Sequence, residues 1–90
     1  MVNAPSNWEC TDPGHLNADG ASIEFKHTEK ELHAIIESGD EFFSNQEIGY
    51  YTVIFDDSTS NPREKVEDHV FFDDEDKAKD YLEQLLEKHN

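Results

Sequence analysis

The sequence predicts an α+β fold in the order β-α-β-β-α, with a sheet of about three strands and two helices packed on one of its faces. Three observations carry that expectation. "SIEFKH" alternates polar and apolar residues at 22–27. Two β-rich runs, "GYYTVIFDD" and "KVEDHVFFD", flank the polar loop "STSNPRE". Two stretches with helical spacing follow acidic or Thr caps at 28–44 and 73–90.

Each element has a local reason. In the first strand Ile23 and Phe25 face one way while Glu24 and Lys26 face the other, the period-2 signature of a half-buried strand. "TEKE" at 28–31 then fits a capping box, in which Thr28 and Glu31 exchange side-chain and backbone hydrogen bonds. Behind it Leu32, Ile35, Ile36, Gly39 and Phe43 recur at spacings of 3, 1, 3 and 4, which predicts a helix to about Ser44. "HTEKELHAII", residues 27–36, resembles the first helix of colicin-type immunity proteins. The β-rich middle departs from their all-helical plan, so no residue role carries over.

Tyr51, Val53 and Phe55 are expected on one face of the second strand, with Tyr50, Thr52 and Ile54 on the other. The third strand places Val66, Val70 and Phe72 on one side and Glu67, His69 and Phe71 on the other. The two form an antiparallel hairpin with a long loop. Asp73 or Asp74 caps the closing helix, and Glu75 and Asp76 suit the positive end of its dipole. Its apolar stripe is Ala78, Tyr81, Leu82, Leu85 and Leu86. The expected core is Ile23, Phe25, Leu32, Ile35, Ile36, Tyr51, Val53, Phe55, Val70, Phe72, Tyr81, Leu82 and Leu85. Residues 1–20 read as an irregular lead-in that Trp8 and Leu16 can anchor, and residues 21–90 as a single small domain.

Charge is the strongest functional signal. The 90 residues hold 22 acids against 7 Lys and Arg, a net charge of −15. Such a chain repels nucleic acid and anionic membranes and is steered towards basic surfaces. With aromatics at 11% of the sequence it is too ring-rich for a disordered acidic tail. The single cysteine, Cys10, forms no intramolecular disulfide. No signal or membrane-spanning stretch is evident, so the expected location is the cytoplasm, or the host cytoplasm for a viral protein.

Chemistry-bearing motifs are sparse. Cys10, His15, His27, His33, His69 and His89 form no close pairs of the kind a structural zinc site uses. "NADG", with Asn17, Asp19 and Gly20, has His15 and Lys26 where a calcium loop needs its first Asp and its bidentate Glu. No nucleophile elbow, phosphate loop or dinucleotide fingerprint occurs. The expectation is a non-enzymatic protein without metal or cofactor.

On the closing helix Asp76, Asp80, Glu83 and Glu87 are spaced 4, 3 and 4, one face with about 5–6 Å between neighbours. Glu37, Asp40 and Glu41 would add to it from the other helix. A merged negative surface of this kind suits a small inhibitor that binds a basic nucleic-acid-binding protein as a DNA mimic. Phage anti-CRISPR and anti-restriction proteins and nuclease immunity proteins form that class. The alternative is an interaction or homodimer module using an apolar open sheet face of Tyr50, Ile54, His69 and Phe71, with the charge serving only solubility or salt adaptation.

Overall fold

A computed structural model describes residues 2–16, 20–39, 49–60 and 62–90. Five strands precede one helix: β1 (Trp8–Pro13), β2 (Ser22–His27), β3 (Leu32–Gly39), β4 (Gly49–Asp56), β5 (Glu64–Phe72) and α1 (Glu75–Lys88). The strands form one antiparallel meander in the order β1-β2-β3-β4-β5. α1 packs on one face, over β3, β4 and β5.

This corrects the three-stranded, two-helix expectation in two places. The first is 28–39. The expected helix is a turn followed by β3, and its expected continuation at 40–44 lies outside the described residues. The apolar positions that mimic a helical stripe serve strand alternation equally well: Leu32, Ala34, Ile36 and Ser38 are buried on the helix side, and Ile35 points away. Two adjacent β-branched residues, Ile35 and Ile36, favour the pleated surface. The capping box is diverted as well. Thr28 donates its backbone N–H and its Oγ1 to the Asn7 carbonyl, at 2.8 and 3.2 Å. The backbone N–H groups of Glu29 and Lys30 donate to His27 Nδ1 at 3.0 and 2.9 Å. These bonds satisfy the turn without a helix, and the resemblance to an immunity-protein helix does not survive in the fold.

The second correction is the N-terminal segment. Trp8–Pro13 is an edge strand paired with β2, its register shifted between Cys10 and Asp12. Val2, Trp8 and Leu16 are buried in the core. Trp8 Nε1–H donates to the Leu86 carbonyl at 3.0 Å. His27 accepts at Nδ1, so its proton sits on Nε2, which faces the Asn90 main-chain oxygen at 3.3 Å. β1 and β2 thus clamp the C-terminal end of α1.

The register fixes which residues reach the core. Ala34 pairs with Ile54 and Ile36 with Thr52, so Tyr50, Thr52 and Ile54 face α1 with Ile23 and Phe25. The expected face of β4 is therefore reversed, and Tyr51, Val53 and Phe55 look away from the helix. Both faces of "YYTVIF" are apolar, so alternation alone carries no preference between them. Val53 is still buried, outside the main cluster. From α1 come Ala78, Leu82, Leu85 and Leu86; each buried Leu contributes about 1.5–3 kcal/mol. Asp74 caps the helix, its carboxylate accepting from the Lys77 N–H at 3.3 Å. Thr52 Oγ1, fully buried, has no hydrogen-bond partner among the described residues. No helix among the described residues is long and apolar enough to cross a membrane.

Candidate functional site: an acidic helix face

The inner stripe of α1 forces its polar residues outward. Asp76, Asp80 and Glu87 are exposed and Glu83 half-buried, in a line along the outer face. Glu83 is held in place: its Oε1 accepts the Asn3 backbone N–H at 2.7 Å. Asn3 and Gln84 complete the shallow surface around Asp80, Glu83 and Glu87. Asn3 is a contributor that sequence reasoning missed, because nothing local links it to a residue 80 positions away.

The cations that form ion pairs do so away from this face. Lys26 and Arg63 both reach Asp57, at 3.7 and 3.1 Å. Lys65 pairs with Asp68 at 3.8 Å, Lys79 with Glu75 at 2.8 Å and Lys88 with Glu67 at 3.0 Å. Lys30 Nζ donates to the His89 carbonyl at 3.4 Å. Among the described residues no cation lies within ion-pair distance of Asp76, Asp80, Glu83 or Glu87. Lys77, exposed on the flank of the ridge, forms no ion pair among the described residues either. Five of the seven cations neutralise acids elsewhere and leave the ridge negative.

The remaining expected contributors are not on this ridge. Glu37 lies on β3, on the sheet face away from α1, where its Oε2 accepts the Tyr51 hydroxyl at 3.0 Å. Burial and this bond to a carboxylate push the Tyr51 phenol up to about 12. Asp40 and Glu41 lie outside the described residues.

The expected open-face quartet is divided between the two sides of the sheet. Ile54 is 0% exposed in the core. Tyr50 packs against that core beneath the start of α1, where burial first and then Glu75 and Asp74 raise its phenol. His69 and Phe71 lie on the far side with Tyr51, at ring-centroid distances of 4.9 Å for Tyr51–His69 and 5.8 Å for Tyr51–Phe71. Phe55 joins them, with the Arg63 guanidinium 4.0 Å above its ring. The sheet face away from α1 thus carries an aromatic group on β4 and β5.

At the C-terminal end of α1, Glu67 accepts from His89 and pairs with Lys88. The His89 hydrogen bond, with a smaller contribution from Lys88, holds the Glu67 carboxyl below its ordinary range. Among the described residues no group of three or more His, Cys, Asp or Glu is placed to hold a metal ion. The chain matches no family model, no curated protein and no solved structure.

Proposed function

We propose that the protein is a small, non-enzymatic, cytoplasmic inhibitor that binds a basic nucleic-acid-binding protein as a DNA mimic, in the manner of phage anti-defence or nuclease-immunity proteins. The observation that carries this reading is the unneutralised ridge of Asp76, Asp80, Glu83 and Glu87 in a molecule whose cations are mostly committed elsewhere. Carboxylates one helical turn apart, about 5–6 Å, present a regular row of negative charge, as phosphates do along a nucleic-acid strand. A groove built for that backbone gains most of its affinity from charge neutralisation, which makes binding steeply salt-dependent. Glu37 belongs to the opposite sheet face and has no part in this surface.

The test is affinity capture of the tagged protein from host lysate with a salt ramp. One stoichiometric basic nucleic-acid-binding protein, released by added DNA or RNA, is the expected result. Capture of many cationic proteins, all released at low salt, would show that the charge only solubilises the chain.

A second reading rests on Phe71, which is 52% exposed on the sheet face away from α1, beside His69 and Tyr51. Exposed aromatics are common anchors of protein interfaces. A homodimer through this face predicts a concentration-dependent mass in sedimentation that Phe71→Ser abolishes. A strict monomer at all concentrations removes the dimer.

A further inference from the structure

α1 covers β3, β4 and β5, and the hydrogen bonds from β1 and β2 reach it at its C-terminal end. Towards its N-terminal end a cleft of about 550 Å³ opens between the helix and the β1–β2 hairpin. Ile23 and Phe25 floor it, and Val2 and Leu16 wall it. The connector after β1 is pinned against β2 at the edge of the cleft: a Cβ on Gly14 would stand 2.6 Å from the Ser22 carbonyl oxygen. The opening therefore has a built boundary.

We infer that this cleft binds an uncharged apolar small molecule, independently of whatever docks on the acidic ridge. Its volume falls in the usual range for ligand pockets, about 300–1,000 Å³. Its lining is mainly apolar, and its two charged residues cancel: Lys79 Nζ lies 2.8 Å from Glu75 Oε2. Among the described residues Lys79 is the sole Lys or Arg on the lining, and it is already paired. The net charge of −15 repels anionic ligands further. A neutral aliphatic or ring compound meets neither obstacle, and it removes the apolar floor from water.

The single cysteine supplies a reporter. Cys10 is exposed and lines the cleft. Prodan, an uncharged naphthalene dye, is titrated into the full chain, and alkylation of Cys10 by N-ethylmaleimide is followed by intact mass with and without saturating dye. The expected result is a saturable, blue-shifted emission and at least a roughly threefold slower alkylation. Ala4→Phe, which places a ring in the cleft from an exposed position, weakens dye binding about tenfold or more, equivalent to about 1.4 kcal/mol. Phe71→Ser, on the other sheet face, leaves it unchanged. The inference is overturned by an absence of saturable binding, by binding that does not protect Cys10, or by binding that Phe71→Ser abolishes. Equal or tighter binding of the sulfonated dye anilinonaphthalene sulfonate overturns the preference for an uncharged ligand.

Discussion

The acids at the sheet and those on the outer face of α1 are held differently. Asp57, Glu67 and Asp68 each carry two cationic or His partners. Among the described residues Asp76, Asp80 and Glu87 carry none, and Glu83 is held by a backbone N–H. A chain with 7 cations for 22 acids leaves most acids unpaired. What the contrast teaches is where the pairs fall: they tie strands, turns and the helix end together, while among the described residues the ridge's one internal tie is the bond from the Asn3 N–H to Glu83. Carboxylates that do not hold the fold are free to serve a partner, and removing them should not weaken the protein.

The largest effect expected separates the two sides of α1. Leu82→Ala empties a fully buried site and costs about 2–5 kcal/mol, read as a lower midpoint in urea. Asp80→Asn, two residues away on the outer face, leaves the midpoint unchanged or raises it by relieving repulsion. A ridge substitution as costly as Leu82→Ala would mean that the outer face is structural.

Thr52→Val comes next. The buried Oγ1 without a partner makes Thr52 a weak point beneath the helix, and an isosteric methyl should raise stability by about 1 kcal/mol. A loss of stability instead would show that the hydroxyl is satisfied in solution.

Smaller still is the effect of Glu67→Gln, about 1 kcal/mol or less because the site is partly solvated. Its pH dependence gives the sharper contrast with the ridge. The folded-state value of Glu67 lies below its ordinary 4.5. Its stabilisation is therefore complete above that value and is lost as pH falls through the depressed one. Denaturant midpoints of Glu67→Gln and wild type should converge at acid pH and separate towards neutrality. Parallel curves would remove Glu67 from the account.

Tyr51→Phe has the smallest effect at neutral pH and a clear optical signature. The Tyr51 value is raised from 10.0 to about 12, so its stabilisation is present below 10 and disappears as pH rises towards 12. Ultraviolet titration of the wild type should show a late phenol that Tyr51→Phe deletes. An unchanged late phase would assign it to another tyrosine.

Some of this structure was legible in the sequence. Alternation at 22–27 marked β2, the β-branched and aromatic runs marked β4 and β5, and the spacing with acidic caps marked α1. The line of Asp76, Asp80, Glu83 and Glu87 follows from helical geometry alone once α1 exists. β3 was obscured because Leu32, Ile35 and Ile36 satisfy both a helical and a strand period, and the decisive bonds come from Asn7 and His27. β1 was obscured because "WECTDP" has only Trp8 buried; its pairing with β2 is what makes it a strand. The reversed face of β4 followed from apolar residues on both sides. Partner geometry across the sheet decides such cases, and local sequence does not encode it.

The most direct test of the central claim changes equal charge in two places. One variant carries Asp76→Asn, Asp80→Asn, Glu83→Gln and Glu87→Gln. The other carries Glu9→Gln, Asp12→Asn, Glu29→Gln and Glu31→Gln, exposed acids with no ion pair among the described residues. Both lose four negative charges, and affinity for the captured partner is measured at several salt concentrations. The ridge variant is predicted to lose affinity about a hundredfold or more, roughly 2.8 kcal/mol, with a shallower salt dependence and an unchanged fold, while the second variant stays within a few-fold of wild type. Equal losses in the two variants would contradict the claim, because net charge and not the ridge would then govern binding.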